Sequence, residues 1–111
     1  MTVQSLIDLL GFTPLHLEEA DRPVAGGYCG DLLSWVMGRA GVDNAWFTIM
    51  SNVNVAAVAA LSDVSCVVLT EGVSPDETLL ARVRAQGINL LGTQLSTFDA
   101  AAALAQALKA N

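Results

Sequence analysis

The chain has 111 residues, of which 53% are hydrophobic and only 14% are charged, and its net charge is -6. This length suits a single domain over residues 1–111, and so little charge predicts apolar surface that a second copy covers in a homodimer. The scattered basic residues exclude nucleic acid as a partner. The amino terminus does not resemble a signal peptide and no apolar run reaches the length of a membrane span, so we expect a cytoplasmic protein without a membrane partner.

The first elements are a helix and two short strands. Thr2 is placed to cap a helix that Gly11 ends, with apolar residues at helical spacing: Val3, Leu6, Ile7, Leu9 and Leu10. Alternation over residues 15–17 predicts a short strand, and a polar loop follows it. Residues 24–29 then predict a second strand, weakened by its glycines.

The next elements are a capped helix, a strand and another helix. Asp31 stands where its carboxylate can accept from the free N–H groups of a helix that Gly38 and Gly41 end. Residues 45–50 form the clearest strand of the sequence. Ser51 or Asn52 can cap the helix that follows over residues 53–61, where alanines permit close packing against a sheet.

The second half alternates strands with helices. Residues 64–69 are continuously apolar, as in a strand covered on both faces. Residues 74–77 supply a cap, a proline and two acids at the start of a helix that Gly87 ends. A short strand at 88–91 precedes a last helix over 98–108, opened by Ser96 or Thr97. This alternation predicts an α/β fold, a three-layer α/β/α sandwich around a mainly parallel sheet of four to five strands.

Few residues are suited to catalysis. The chain has no P-loop and one histidine, His16, so we expect no metal site and no cofactor. Cys29 precedes a predicted helix, where free N–H groups stabilise a thiolate, and a cysteine enzyme would need His16 as its base. Cys66 lies inside an apolar strand and is expected in the core, and we expect no disulfide between the two cysteines.

The polar candidates lie where predicted strands end. Carboxyl ends of parallel strands meet at one edge of a sheet, and open α/β sheets bind their ligands there. The glycine-rich turn at Gly30 directs backbone N–H groups to that edge, and Glu71 follows a strand. The tentative ligand-binding set is Gly27, Gly30, Asp31, Asn52, Asn54, Thr70, Glu71 and Gly72. This neutral rim suits a nucleotide or another small phosphorylated ligand, and ordinary helix capping is the alternative interpretation.

Four segments, taken together and in order, resemble the stand-alone DRTGG-domain proteins. They are Gly26–Met37, Trp46–Ile49, Asn54–Ala59 and Val67–Gly72. The resemblance implies a three-layer α/β domain similar to the amino-terminal domain of HPr kinase/phosphorylase, without the kinase domain. Related copies are attached to CBS-domain pairs or to a phosphotransacetylase, where they look like regulatory, dimer-forming parts.

The chain also departs from the family pattern. The acidic-basic pair of the larger relatives aligns near Asn52-Val53, and their paired glycines align near Glu71-Gly72. The charged pair is therefore lost here, although Asp21-Arg22 has the same letters as the start of the family's name.

Three functions remain open on the sequence. The first is a non-enzymatic, homodimeric regulatory or interaction module, since the apolar content is high and no catalytic constellation is present. The second is a sensor that binds a nucleotide or phosphorylated metabolite near Gly30, Asn52, Asn54 and Glu71. The third is a small enzyme that uses Cys29.

Overall fold

A central five-stranded sheet organises the computed structural model, which describes residues 1–110. The elements in chain order are α1 (Val3–Leu10), β1 (Thr13–His16), β2 (Gly26–Cys29), α2 (Leu33–Arg39), β3 (Asn44–Thr48), α3 (Asn54–Ser62), β4 (Cys66–Leu69), α4 (Glu77–Gln86), β5 (Leu90–Gly92) and α5 (Thr97–Ala110). The strands lie in the order β1-β5-β4-β3-β2. β2 to β5 are parallel, and β1 is antiparallel to β5. The predicted α/β sandwich with a mainly parallel sheet is confirmed.

Two apolar clusters fill the two faces of this sheet. One contains residues of α2, α3 and α4, and the other contains residues of α1 and α5. Neighbouring residues of a strand point to opposite faces, so Trp46 belongs to the first cluster and Phe47 to the second. All four residues of β4 are buried, as the continuous apolar run predicted.

The ends of α1 follow the sequence prediction. Thr2 and Ser5 form a reciprocal capping box, in which the Thr2 N–H donates to Ser5 Oγ at 3.0 Å and the Ser5 N–H donates to Thr2 Oγ1 at 3.3 Å. Gly11 ends the helix with φ 73°, a left-handed conformation in which glycine carries no steric penalty. Local sequence is sufficient to set both ends of this helix.

Asp31 does not cap α2, contrary to the prediction. The residue at the cap position is Leu32, which makes no side-chain hydrogen bond there. Asp31 Oδ1 instead accepts from Thr48 Oγ1 at 2.8 Å and from the Ile49 N–H at 2.9 Å. The loop after β2 runs beside the end of β3. The carboxylate therefore binds these two donors rather than the first N–H groups of α2. α2 also continues through Gly38, which the sequence pattern placed at its end.

The start of α4 is also later than predicted. The helix begins at Glu77 after an extended Asp76, so Ser74 does not cap it. The Asp76 N–H donates to Ser51 O at 3.0 Å, and this contact holds the segment against the loop after β3. The strand bounds also differ from the prediction. The five strands cover residues 13–16, 26–29, 44–48, 66–69 and 90–92, whereas the sequence predicted 15–17, 24–29, 45–50, 64–69 and 88–91. Among residues 1–110, no helix is long and apolar enough to cross a membrane.

Candidate functional site

The loops that follow β2, β3 and β4 meet at the carboxyl edge of the sheet. The Gly30 N–H donates to Phe47 O at 3.1 Å, and the Thr70 N–H donates to Thr48 O at 3.1 Å. The structure thus places six of the eight candidate residues on adjacent loops of one edge, and a seventh, Asn54, at the first residue of α3 beside them. Gly27 is the exception, because it lies within β2 opposite Ala45 and faces α5.

Asn52 serves the start of α3. Its Oδ1 accepts from the Asn54 N–H at 2.9 Å, and Val53 between them already has helical dihedral angles of φ -59° and ψ -26°. Asn52 thus makes the side-chain hydrogen bond expected of a cap, although the residue at the cap position of α3 is Val53, which makes none. The Asn54 side chain is exposed beside it.

The turn after β4 contains Thr70, Glu71 and Gly72. Glu71 and Gly72 have successive positive φ angles of 61° and 71°. Glycine adopts this conformation without cost, whereas a residue with a Cβ is strained in it. Two successive glycines would therefore form this turn with less strain than the Glu71-Gly72 pair does.

The Glu71 carboxylate lies at the amino terminus of α5. Glu71 Oε2 accepts from the Thr97 N–H at 2.9 Å, and the hydroxyls of Thr70 and Thr97 are 2.6 Å apart. Ser96 Oγ accepts from the Asp99 N–H at 3.0 Å, so Ser96 is the predicted cap that the structure confirms. An acidic side chain of the chain itself thus occupies the position where a helix amino terminus attracts anions.

Cys29 and His16 are too far apart to act together. β2 and β1 are the two outer strands of the sheet, so four strand spacings, roughly 19 Å, separate them. His16 Nε2 lies 3.1 Å from Glu18 Oε1. Burial, and then the neighbouring Asp31 carboxylate, raise the pKa of the Cys29 thiol, so the thiolate is disfavoured. Burial raises the pKa of the Cys66 thiol to about 12, which agrees with its predicted place in the core.

A cavity of about 160 Å³ opens at the carboxyl edge beside Gly72. Hydroxyls and an amide contribute to its wall, from Thr13, Ser74, Thr93 and Gln94. Its volume is below that of typical small-molecule pockets, about 300 to 1,000 Å³, so it suits a single phosphoryl group better than a whole nucleotide. Thr93 directly follows β5 and lies at the edge where the sequence predicts the ligand site, whereas Gln94 carried no signal in the sequence.

A second cavity, of about 250 Å³, lies at the opposite edge of the sheet and was not predicted. Arg22 and Asn89 are among the residues that line it. The Arg22 guanidinium binds the carboxylate of Asp43 at 3.1 Å and that of Asp63 at 2.9 Å. Its charge is thus compensated within the chain, and the cavity has no free cationic group from Arg22 to attract an anion.

Asn89 is a buried amide with four hydrogen bonds. Its Oδ1 accepts from the N–H groups of Glu18 at 2.7 Å and Glu19 at 2.8 Å, and its Nδ2 donates to Glu19 O at 2.9 Å and Ser65 O at 3.0 Å. These bonds join the loop after β1 to the start of β4. A single asparagine in an apolar stretch gave no sequence signal for this role.

Within residues 1–110, no three histidine, cysteine, aspartate or glutamate side chains are grouped to hold a metal ion.

The comparisons with known proteins identify the family of this fold. Residues 47–107, more than half of the chain, match the family model of the DRTGG domain, and the chain belongs to this family. The fold is similar to the crystal structure of the CBS and DRTGG domains of the regulatory region of Clostridium perfringens pyrophosphatase, complexed with its activator diadenosine tetraphosphate. The TM-score is 0.73 at 13% sequence identity, over 96% of this chain. This chain spans 47% of the length of that one, and no curated protein matches its sequence.

Proposed function

We propose that this chain is a regulatory module of the DRTGG type that acts as a homodimer and catalyses no reaction. The observation that carries the proposal is the exposed apolar surface of α2 and the residue before it. Leu32, Trp35 and Met37 are 61%, 55% and 49% exposed. Exposed apolar side chains of this kind mark interaction surfaces, and the Arg39 guanidinium lies over one of them, 3.9 Å from the centre of the Trp35 ring.

The carboxyl edge supports a role without catalysis. Asp31, Asn52 and Glu71 each accept hydrogen bonds from backbone N–H groups of the same chain. A general acid or base needs a free carboxyl group within reach of a substrate. These side chains instead stabilise the loops, and the separation of His16 from Cys29 argues against the cysteine enzyme.

The mass of the protein in solution tests the proposal. Light scattering or sedimentation equilibrium at micromolar concentration is expected to give twice the chain mass of 11.6 kDa. A monomer under these conditions would count against the homodimer.

We place the protein in the cytoplasm, since its two free cysteines fit a reducing compartment.

A ligand sensor is the second candidate function. The cavity beside Gly72 lies at the sheet edge where α/β proteins bind ligands, and the structural neighbour was crystallised with a dinucleotide activator. A nucleotide or phosphorylated metabolite would place a phosphoryl group there, near Thr93. Its base and sugar would then extend over the loops that carry Gly30, Asn52 and Asn54.

Thermal denaturation tests the sensor hypothesis with diadenosine tetraphosphate, ATP and inorganic phosphate as probes. A ligand that binds only the native state raises the melting temperature as its concentration grows. Thr93→Ala should reduce that shift, whereas Thr78→Ala, at an exposed position of α4 that does not line the cavity, is the matched control and should leave the shift unchanged. A melting temperature that no probe changes would leave the regulatory dimer as the sole proposal.

A further inference from the structure

β2 is an outer strand whose free side carries no charge. The sheet order ends at β2, and no residue from Pro23 to Gly30 has a charged side chain. Edge strands of monomeric proteins are usually protected by charges, bulges or a covering loop, because a bare edge pairs with other strands. Met1 and Thr2 pair with Pro23 and Val24 just before the strand, but β2 itself has no such charge and its residues Gly27 and Cys29 are exposed, so the outer side of residues 26–29 is open to a strand from another chain.

The free backbone groups of β2 belong to Gly27 and Cys29. Tyr28 pairs with Trp46 of β3, and the Gly30 N–H donates to Phe47 O. Backbone direction alternates along a strand, so Gly27 and Cys29 direct their N–H and C=O groups away from β3. An antiparallel copy of β2 centred on Tyr28 aligns Gly27 of each chain with Cys29 of the other. Four backbone hydrogen bonds then form between the two copies.

Apolar surface flanks this edge on both faces of the sheet. On one face, a groove of about 200 Å³ runs along the contact between β2 and α5. It is lined by Gly27, Cys29, Phe47, Ala101, Leu104, Ala105 and Leu108. On the other face, α2 exposes the apolar ring of Trp35, over which the Arg39 guanidinium lies. A partner that pairs with β2 therefore also removes apolar surface from water above and below the sheet.

The charges at the two ends of α5 favour a second copy of the chain as the partner. A Cβ on Gly27 would lie 3.3 Å from Leu104 Cδ2, so the middle of α5 crosses β2. Asp99 lies five residues before Leu104 on this helix, and Lys109 lies five residues after it. A two-fold axis beside β2 reverses α5 and places its acidic end in one copy opposite its basic end in the other.

We propose that two copies of this chain pair antiparallel through β2 and form one continuous ten-stranded sheet. α2 and α5 of each copy then pack against their counterparts across the axis. This inference rests on the proposed homodimer and assigns its contact surface.

Cross-linking tests the register of the pair. In the double variant Tyr28→Cys and Cys29→Ser, the two new cysteines face each other as a non-hydrogen-bonded pair with Cα atoms about 4.5 Å apart, within the range for a disulfide. Mild oxidation is expected to yield a covalent dimer. The control, Leu61→Cys with Cys29→Ser, places its thiol on an exposed position of α3 and should remain largely uncross-linked. Equal cross-linking in both variants would overturn the register.

A charge in the groove tests the surface independently. Ala105→Glu introduces a carboxylate at an exposed helix position that lines the groove. The dissociation constant of the dimer should therefore rise at least about tenfold. Leu61→Glu is the matched control and should remain dimeric, with circular dichroism showing both variants folded. A wild-type dimer that Ala105→Glu does not weaken and Tyr28→Cys does not cross-link would overturn this surface while leaving the homodimer intact. A monomeric wild-type protein would overturn both.

Discussion

At the scale of single residues, two side chains join loops to distant elements, in addition to the backbone hydrogen bonds of those loops. Glu71 adopts a left-handed conformation and uses its carboxylate at the start of α5. Asn89 uses its amide to join the loop after β1 to the start of β4. Each position therefore gives a distinct effect on stability when it is changed.

The strain at Glu71 predicts that glycine is tolerated there better than alanine. Glu71→Ala loses the hydrogen bond to the Thr97 N–H and keeps the positive φ, so the free energy of unfolding should fall by about 1 kcal/mol. Glu71→Gly loses the same bond but relieves the left-handed strain, which is worth roughly 1 kcal/mol, and should lie near the wild type. Urea denaturation measures both. Equal losses would show that the strain is negligible.

Removal of the buried amide at Asn89 is expected to be costly. Asn89→Ala leaves the N–H groups of Glu18 and Glu19 without their acceptor, so the free energy of unfolding should fall by about 3 kcal/mol in denaturant titrations. Asn54→Ala is the control, because that side chain is exposed, and its effect should be within about 0.5 kcal/mol. A small effect at both positions would mean that water replaces the amide.

At the scale of elements, β4 is enclosed on both faces of the sheet. Its four residues are buried, and Cys66 at its start is fully enclosed. This burial is why the pKa of the Cys66 thiol rises to about 12. The strand is therefore sensitive to pH above neutrality.

Stability is expected to fall in alkaline solution because of Cys66. The unfolded chain releases the thiol proton above about pH 8.5, while the folded protein keeps it up to about pH 12. The contribution of this thiol to the free energy of unfolding is therefore complete below the pKa of the unfolded chain. It falls as the pH rises from that value to the pKa of the folded protein. Between about pH 8 and about pH 10.5, the wild type should lose roughly 2 kcal/mol more than Cys66→Ala does. Parallel pH profiles from urea denaturation would contradict this.

At the scale of the whole molecule, folding and association are expected to be linked. Ten large apolar side chains are substantially exposed in residues 1–110, among them Trp35 on α2 and Phe98 at the start of α5. If two copies pair through β2, part of this surface leaves water only in the dimer. The stability of the fold then depends on protein concentration.

The melting temperature should therefore rise with protein concentration. A hundredfold increase in concentration is expected to raise it by a few degrees, because mass action favours the folded dimer over unfolded monomers. Scanning calorimetry or fluorimetry across that range measures the shift. Ala105→Glu should reduce the dependence, whereas Leu61→Glu should keep it. A melting temperature independent of concentration in the wild type would contradict the linkage.

The sequence by itself determined the class of fold and most of its elements. The helical spacing in α1, the capping residues Thr2 and Asn52 and the continuous apolar run of β4 act within a few residues, so local pattern was enough to predict them. It also determined the edge at which the polar loops gather, since parallel strands end on the same side. The family resemblance followed from the same segments.

Only the tertiary structure decided what the polar side chains bind. Asp31 turns from α2 to the end of β3, Glu71 reaches the start of α5, and Asn89 contacts residues about 70 positions earlier in the chain. Sequence pattern indicates that these groups need partners, but the choice among distant donors depends on which loops the sheet brings together. The antiparallel placement of β1 and the open edge of β2 were decided at the same level, because strand order is a property of the whole sheet.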